Sequence, residues 1–316
     1  MTFLDALTAQ RLTVAALLVF VLVIAGAAAL RRGGEPQGGV GGGDVTQLES
    51  YTSANVVPNI GAAAAPARQP ATPPPEVNAA SYAIVERSCG ALIWGKQEHE
   101  RLPPASLTKI VTALVVRDRL ALDEAVESEV SASKMRGSSV MGLEPGMRLS
   151  VTDLLYGLLL RSGNDAALVL ARNAGGSTER FVEEMNQKAG ELGLRDTHFT
   201  NPHGLDNPGL YSSAFDMAQA GMAFLADPVL AGMSSTAEYA PAWSGPALRN
   251  GNKLLKRYEG AFGVKTGYTE AAHQTFVGAA HRDGRDVIVS LFGSKDRYAD
   301  AILLLDWAFA NPPACG

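Results

Sequence analysis

Three short polar motifs, far apart in the chain, constrain its fold more than any other feature. They are Ser-Leu-Thr-Lys at 106–109, Ser-Gly-Asn at 162–164 and Lys-Thr-Gly at 265–267. Each is short enough to occur by chance, so a single one carries little weight. In this order they supply a nucleophile, a base, a proton relay and an anion clamp, which together suffice for acyl transfer. We therefore expect a fold that brings all three motifs to one site.

An apolar segment, Leu12–Leu30, lies near the start of the chain, with Arg11 before it and Arg31 and Arg32 after it. Its length is close to the ~20 residues that an α-helix needs to cross a bilayer, which favours an uncleaved anchor. A signal peptide cleaved at a small-residue site is the alternative. We assign residues 1–30 to a transmembrane anchor or signal peptide. The flanking arginines weakly favour a cytoplasmic domain, but the chemistry argued below requires export, and we expect an extracytoplasmic domain.

Residues 31–77 are predicted to be a disordered linker, because about a third of them are glycine or proline and few are large and apolar. Such a composition cannot bury enough surface to offset the entropy of the chain. The remaining residues, 78–316, are enough for one catalytic domain with a substantial core.

Charge and composition exclude several classes of protein. The net charge of −5 gives no basic footprint for nucleic acid, so no such partner is expected. The two cysteines, Cys89 and Cys315, can form one bridge or remain free thiols, and the sequence leaves both possibilities open. We expect neither a metal nor a cofactor, because no metal-ligand spacing links the histidines, which are His99, His198, His203, His273 and His281.

The pattern of apolar residues predicts strands at both ends of the domain and helices between them. The predicted strands are Ser81–Glu86, Ala91–Trp94, Phe262–Thr266, Thr275–Ala280 and Val287–Phe292. The predicted helices are Ser106–Leu120, Val151–Leu160, Asp165–Asn173, Thr178–Leu192, Ser212–Leu225 and Asp296–Phe309. This arrangement indicates the α+β class, with one antiparallel sheet flanked by helices and carrying a helical subdomain.

Ser106 lies at the start of a predicted helix, where backbone N–H groups are unpaired and the helix dipole is positive. Lys109 follows one turn later, so its amine is expected beside the Ser106 hydroxyl. A lysine acts as a base only when neutral, and burial or a second nearby cation would lower its pKa. The alternative is structural: Ser106 caps the helix and Lys109 lies on the surface.

The other two motifs each allow a functional and a structural interpretation. Ser162 can relay a proton to a leaving amine, and the Asn164 amide can hold both the base and a substrate carbonyl. Alternatively, this segment is a turn in which Asn164 caps the next helix. Gly267 lets a substrate backbone lie along the strand edge, while Thr266 and Lys265 offer a hydroxyl and a positive charge to a carboxylate-bearing ligand. Otherwise this motif is an ordinary exposed strand end.

Taken with their neighbours, the motifs resemble those of the low-molecular-mass penicillin-binding proteins, the D-alanyl-D-alanine carboxypeptidase family. The similarity lies in Pro-Ala-Ser-Leu-Thr-Lys at 104–109, Ser-Gly-Asn-Asp-Ala at 162–166 and Lys-Thr-Gly-Tyr-Thr at 265–269. The segments 201–206 and 211–218 resemble the connecting region of the same family. The resemblance extends from about residue 80 to about residue 307 and implies a β-lactamase/transpeptidase-like fold.

The resemblance implies a serine-type hydrolase that removes the terminal D-alanine from peptidoglycan stem peptides, with β-lactam antibiotics as covalent inhibitors. Ser106 would form the acyl-enzyme, Lys109 would be its general base, and Ser162 would pass a proton to the departing D-alanine. The implied substrate-binding residues are Asn164, Lys265, Thr266, Gly267, Tyr268 and Arg297. The implied location is the bacterial cell membrane, with the N-terminal helix as the membrane contact.

Within that set, Asn164 would bind the peptide carbonyl of the substrate, and Lys265 and Thr266 would meet its negative end. Arg297 resembles an arginine that family members use near the terminal carboxylate. The backbone N–H groups of Ser106 and Tyr268 would form the oxyanion hole, which is worth about 3 kcal/mol per donor.

Two departures from the family pattern bear on these expectations. His273 stands where many members have a glycine, and we expect it to reshape the entrance of the strand. The sequence after the last predicted helix is short, so we expect any membrane tether to be the N-terminal one.

Three other functions share the motifs. A β-lactamase of this motif order would need an extra Glu-x-x-x-Asn segment, where this chain has Asp-Thr-His-Phe-Thr-Asn at 196–201. A D,D-endopeptidase acting on cross-links differs only in what the pocket admits beyond the scissile bond. A non-catalytic sensor of β-lactams or muropeptides is disfavoured because all the catalytic side chains are present.

Overall fold

The computed structural model describes residue 70, residues 72–135, residues 137–313 and residue 315. The predicted anchor or signal peptide at 1–30, and the linker as far as residue 69, lie outside the described residues. Within the described part of the chain, no helix combines the length and the apolar character needed to cross a bilayer.

The centre of the fold is a five-stranded sheet in which every neighbouring pair is antiparallel, with the strand order β2-β1-β9-β8-β7. The strands are β1 Ser81–Glu86, β2 Leu92–Lys96, β3 Ala125–Glu127, β4 Arg148–Ser150, β5 Glu238–Tyr239, β6 Leu248–Arg249, β7 Ala261–Thr269, β8 His273–Arg282 and β9 Arg285–Ser294. Two short hairpins, β3-β4 and β5-β6, lie apart from this sheet. Strand β7 forms one edge of the sheet and contains the Lys-Thr-Gly motif.

Helices cover both faces of the sheet. They are α1 Thr108–Arg119, α2 Val151–Leu160, α3 Asn164–Gly175, α4 Thr178–Glu191, α5 Ala214–Ala226, α6 Pro228–Ser235, α7 Leu254–Arg257 and α8 Arg297–Ala310. The alternating side chains of β9 separate two cores: Ile288 and Phe292 pack with helices α1 to α6, and Val289 and Leu291 pack with α7 and α8. The first core lies between the sheet and the helices that follow β2 and precede β7 in the chain, where the sequence predicts the helical subdomain.

The structure confirms the predicted fold class and most of the predicted elements. The three C-terminal strands extend beyond their predicted ends, and Ser106 lies in a 3₁₀ turn, Ala105–Leu107, just before α1. The sequence analysis missed α6, α7 and the two short hairpins. Cys89 and Cys315, left open by the sequence, form a disulfide with their Cα atoms 6.0 Å apart.

Candidate active site

The backbone around Ser106 is fixed by contacts on both sides. Ala105 has a left-handed φ of +50°, a conformation that residues with a side chain rarely adopt. Two hydroxyl groups hold this turn: Thr108 Oγ1 donates to the Ala105 carbonyl at 2.9 Å, and Thr275 Oγ1 of β8 donates to the Pro104 carbonyl at 3.0 Å. Because strained conformations persist only where neighbours hold them, the position of Ser106 is determined by the sheet as well as by α1.

Lys109 is fully buried, with its amine beside the Ser106 hydroxyl. Its Nζ lies 2.9 Å from Ser106 Oγ, 2.6 Å from Asn164 Oδ1 and 2.6 Å from the His203 carbonyl oxygen. A neutral amine has two N–H bonds and one lone pair. The amide and carbonyl oxygens only accept, so they take the two N–H bonds and leave the lone pair for the Ser106 O–H.

The surroundings of Lys109 favour this neutral form. Burial lowers the pKa of the Lys109 amine well below its usual value, and the nearby positive charge of Lys265 lowers it further. The carboxylate of Asp165 acts in the opposite direction. A lysine can act as a base only when its pKa is lowered, and the surroundings of Lys109 meet this condition.

The Ser-Gly-Asn motif forms the break between α2 and α3. Ser162 has a left-handed φ of +57°, and Asn164 begins α3 with its backbone N–H donating to the Ser139 carbonyl at 2.8 Å. The next residue, Asp165, accepts hydrogen bonds of 2.9 to 3.1 Å from the backbone N–H groups of residues 141–143. These bonds fix the loop before β4 against the motif and satisfy its polar groups.

Lys265 connects the third motif with the second. Its side chain is 2% exposed, and its Nζ donates to Ser162 Oγ at 2.9 Å and to the Thr266 carbonyl at 2.8 Å. Burial, followed by the positive charge of Arg297, lowers the pKa of Lys265 to about 7. At neutral pH this lysine therefore carries only part of the positive charge that the sequence suggests here.

Gly267 brings the edge strand against the nucleophile. A Cβ atom at this position would lie 2.9 Å from the Ser106 backbone nitrogen and 2.3 Å from Thr275 Oγ1, so any larger residue would push β7 away. Tyr268, which follows, is 61% exposed at the rim of the site. The Ser106 N–H and the backbone of β7 thus lie side by side, as the predicted oxyanion hole requires.

Arg297, at the start of α8, reaches across the end of β7. It donates to the Gly267 carbonyl at 2.7 Å, to the Thr275 carbonyl at 2.9 Å and to Gln274 Oε1 at 2.9 Å. Burial lowers the pKa of its guanidinium, although Tyr298 and Asp296 act in the opposite direction. Arg297 therefore lies against β7, the strand that carries Thr266. The Thr266 side chain is half-buried. Gln274 is a contact that the sequence analysis missed.

The segment from Asn201 to Gly204 completes the surroundings of Lys109, and the sequence analysis gave it no role in the site. Asn201 Oδ1 accepts from the Gly204 N–H at 2.7 Å, and Thr112 Oγ1 donates to the Pro202 carbonyl at 2.7 Å. A Cβ on Gly204 would lie 1.8 Å from the Ala105 carbonyl oxygen, so only glycine fits. Asn201 and Gly204 are residue types that favour turns, and they are the sequence signal that could have identified this segment.

His203 in the same segment contributes its backbone carbonyl to Lys109. Burial, and then the charge of Lys109, lowers the pKa of the His203 ring to about 4, so the ring is neutral at neutral pH. His273, the departure from the family pattern, opens β8 with a left-handed φ of +53°, a conformation that favours glycine. Within the described ranges, no group of three or more His, Cys, Asp and Glu residues is placed to hold a metal ion.

The described fold brings the three motifs together in one cleft, with Lys109 beside Ser106 and Asn164, Lys265 beside Ser162, and Gly267 against Ser106. A family profile described as D-alanyl-D-alanine carboxypeptidase, peptidase family S11, matches residues 67–296. The chain belongs to this family of serine-type D-alanyl-D-alanine carboxypeptidases. This membership confirms the family that the sequence motifs predict.

Curated relatives agree with this assignment. The chain is 39% identical over 259 residues to D-alanyl-D-alanine carboxypeptidase DacB2 of Mycobacterium tuberculosis. This alignment covers 78% of this chain and 88% of DacB2. It is 37% identical over 248 residues to DacF of Bacillus subtilis and 37% identical over 253 residues to DacD of Escherichia coli. These matches cover 74% and 75% of this chain, but the chain spans only 62% of DacF and 65% of DacD.

Solved structures confirm the fold. A D-alanyl-D-alanine carboxypeptidase of Mycobacterium tuberculosis superposes with a TM-score of 0.73 at 37% identity, covering 78% of this chain and 97% of that one. Penicillin-binding protein 6B of Escherichia coli gives 0.72 at 36% identity, with coverage of 77% and 81%. The Streptomyces K15 DD-transpeptidase gives 0.70 at 30% identity, with coverage of 76% and 100%.

Proposed function

We propose that this protein is a D-Ala-D-Ala carboxypeptidase that removes the terminal D-alanine from peptidoglycan stem pentapeptides through an acyl-enzyme on Ser106. The observation that carries the proposal is the buried amine of Lys109, whose two N–H bonds are taken by oxygen acceptors while Ser106 Oγ lies 2.9 Å away. The carboxypeptidase names of the relatives support the substrate class.

Acylation begins when the neutral Lys109 amine takes the proton of Ser106. The freed Oγ attacks the carbonyl carbon of the penultimate D-alanine, and the carbonyl oxygen becomes an oxyanion. The backbone N–H groups of Ser106 and Tyr268 stabilise that charge, because such donors act where charge develops. The Asn164 amide holds the substrate's own peptide carbonyl through its remaining hydrogen-bonding capacity.

The intermediate collapses when the carbon–nitrogen bond breaks and the leaving amine takes a proton from Ser162. Lys265, 2.9 Å from Ser162 Oγ, is placed to restore that proton. The terminal carboxylate of the departing D-alanine lies against Lys265, Thr266 and Arg297, and its negative charge raises the pKa of Lys265 in the complex. A water molecule then attacks the ester carbon, the bond to Ser106 Oγ breaks, and Lys109 returns its proton to that oxygen. The shortened peptide leaves as a carboxylate, and of the two protons from the water one restores Lys265 and the other goes to solvent.

β-Lactams follow the same first step. The Ser106 oxygen attacks the carbonyl of the four-membered ring and the ring amide bond breaks, but the amine stays attached to the acyl group. Acylation therefore adds the whole mass of the antibiotic and leaves a long-lived ester.

The proposed location is the outer side of the cytoplasmic membrane, with residues 1–30 as the tether or as a cleaved leader. The Cys89–Cys315 disulfide supports this location, because disulfides persist in exported proteins and are rare in the cytosol. Stem peptides and β-lactams both occur on that side of the membrane.

Intact-protein mass spectrometry of the full chain with benzylpenicillin tests the proposal, together with D-alanine release from a pentapeptide muropeptide. We expect one adduct and catalytic release of D-alanine, both lost in Ser106→Ala. Ser88→Ala, which changes an exposed serine in the turn after β1, is the matched control and should behave as the wild type.

Other outcomes contradict the proposal in distinct ways. An adduct that persists in Ser106→Ala means that another residue is the nucleophile. An adduct that disappears within seconds indicates a β-lactamase. A stable adduct without D-alanine release from any muropeptide indicates a sensor.

A further inference from the structure

A groove of about 460 Å³ borders the carboxylate end of the active site. We call it the basic groove, because its described lining includes four cationic side chains, those of Lys253, Arg257, Lys295 and Arg297. Thr266 also lines it, so the groove and the active site share Thr266 and Arg297. A groove of this volume lies in the range of sites that bind small molecules, and it offers far more room than the methyl group of a terminal D-alanine needs.

The positive charge of the basic groove is in excess. Among the described residues its lining has one carboxylate, that of Asp296, which accepts hydrogen bonds from the backbone N–H groups of Tyr298 and Ala299 at 3.1 and 3.2 Å. As far as the chain is described, none of the four cations forms an ion pair with a carboxylate. The whole chain has a net charge of −5, so the excess is local. A cleft lined by one sign of charge attracts a ligand of the opposite sign.

Arg297 keeps unused hydrogen-bond donors toward a ligand. Its Nε and Nη1 groups donate to Gln274 Oε1 and to the carbonyl oxygens of Gly267 and Thr275. Within the part of the chain that the structure describes, its Nη2 group donates to no protein oxygen. Because each terminal nitrogen of a guanidinium carries two N–H bonds, Arg297 can donate to an anion through Nη2 while its contacts with the sheet stay in place.

An aromatic ring shapes one wall of the basic groove. Arg257 and Arg297 lie 5.3 Å and 6.0 Å from the centre of the Tyr298 ring, which holds their guanidinium groups on one side. The Tyr298 hydroxyl accepts from the Lys253 backbone N–H at 3.1 Å and donates to the Gly251 carbonyl at 3.0 Å. The same tyrosine therefore fixes both the cations of this wall and the backbone that carries Lys253.

The position of the basic groove indicates which part of a substrate would reach it. In the proposed function, Thr266 and Arg297 hold the carboxylate of the terminal residue. The side chain of that residue starts from the same α-carbon, beside the two residues that the groove and the active site share. The methyl group of D-alanine has no polar atom to offer the exposed amines of Lys253 and Lys295. A longer side chain that ends in a second carboxylate carries the charge that the groove lacks.

We propose that the basic groove binds an acidic side chain on the terminal D-residue. The protein then also removes dicarboxylic D-amino acids, such as D-glutamate, and favours them over uncharged residues of the same shape. The inference rests on the proposed function, and the reaction steps are unchanged. Ser106 Oγ attacks the carbonyl carbon of the preceding D-alanine, the carbon–nitrogen bond breaks, and the amine of the departing D-glutamate takes the proton of Ser162. Water then hydrolyses the ester on Ser106, as it does after D-alanine has left.

The test compares three stem pentapeptides, which end in D-glutamate, D-glutamine or D-alanine, with the full chain as the enzyme. D-Glutamine has the shape of D-glutamate without its charge, so this pair isolates the contribution of the charge. We expect the wild-type kcat/KM to be about tenfold higher for the D-glutamate peptide than for the D-glutamine peptide, as two exposed charge contacts would give.

The groove variant Lys253→Gln/Lys295→Gln removes two of the four charges. We expect it to reduce the tenfold ratio to about twofold, while its kcat/KM for the D-alanine peptide stays within about twofold of the wild type. The matched control is Lys134→Gln/Lys256→Gln, which changes two exposed lysines that do not line the groove. This control should retain the wild-type ratio.

A salt series with the wild type needs no variant. The preference for D-glutamate over D-glutamine should decline as salt is added, because exposed charges are screened. A wild type that releases D-alanine but cleaves the other two peptides equally well would overturn the inference and preserve the proposed function. So would a preference that persists in the groove variant, or one that added salt does not reduce. Release of no terminal residue from any of the three peptides would instead overturn the proposed function itself.

Discussion

Two lysines are buried in the same cleft, but one comes from a helix and the other from a sheet edge. Lys109, on α1, lies among uncharged oxygens of three separate segments, and its pKa falls well below the usual value. Lys265, on β7, has a serine hydroxyl and the carbonyl of the next residue as partners, and its pKa falls to about 7. Burial is the largest cause in both cases.

The difference lies in what each lysine can do next. Lys109 is enclosed by fixed acceptors, so its amine is suited to take a proton from Ser106 and return it. Lys265 titrates near neutral pH, so an incoming carboxylate can decide its charge. In the proposed function, one lysine therefore serves as a base and the other as a switchable anion contact, although both belong to motifs that contain a lysine and a hydroxyl residue.

The largest effect should come from Lys109→Ala. Without the amine, nothing near Ser106 removes its proton, and we expect penicillin acylation to slow by about a thousandfold or more. Lys109→Arg should fail similarly, because a guanidinium does not deprotonate at working pH. Stopped-flow or mass-spectrometric acylation rates measure both, and a fast Lys109→Arg variant would show that Lys109 is not the base.

Asn164→Asp should produce the next largest effect. A carboxylate at this position, 2.6 Å from Lys109 Nζ, would raise the pKa of the lysine by about one to three units. The acidic limb of kcat/KM should move to higher pH by a similar amount. Asn164→Ala, which removes the acceptor without adding charge, is the control and should leave that limb in place. An unmoved limb in Asn164→Asp would contradict the role of Lys109.

Lys265→Arg tests the second lysine through its pH dependence. The pKa of about 7 means that wild-type Lys265 loses its charge above neutral pH. The kcat/KM for a carboxylate substrate should then fall about fivefold from pH 7 to pH 8, and about tenfold for each further unit. Because arginine stays protonated, the variant should keep a flat alkaline limb. If the alkaline limbs of the kcat/KM profiles are the same in the wild type and in the variant, the charge of Lys265 does not control binding.

Lys265→Met should have the smallest effect, on stability. Below pH 7 the lysine is charged in both the folded and the unfolded protein, and its burial then opposes folding fully. Between pH 7 and the ordinary lysine pKa, the unfolded protein binds the extra proton, so wild-type stability rises with pH. We expect the variant to gain about 1 kcal/mol in urea unfolding at pH 6 and less at pH 9.5. A gain that does not change with pH would contradict the lowered pKa.

Much of the site follows from local sequence. Ser106 and Lys109 are one helical turn apart, so their contact depends on short-range geometry that spacing predicts. Gly163 and Asn164 mark the break between two apolar helices for equally local reasons. The alternating apolar residues of β8 and β9 predict the sheet and its two covered faces.

The remainder depends on backbone groups and on distant partners. The acceptor from His203 is a main-chain carbonyl, and no side-chain pattern shows where a carbonyl points. Arg297, the second cause of the lowered pKa of Lys265 after burial, is brought near by the packing of α8 against β8 and β9. Arg257 of α7 and Arg297 of α8 both lie over the Tyr298 ring, and their meeting is a property of topology.

The register between β1 and β9 has a consequence for synthesis. Ser81 pairs with Phe292 and Glu86 with Val287, so the first strand of the domain lies beside the last. When only the Ser106 segment of the chain has been synthesised, β7, which flanks Ser106, and β9, which pairs with β1, are both still missing. The site around Ser106 can therefore assemble only once β7, β8 and β9 are available to fold with β1, which is near the end of the domain.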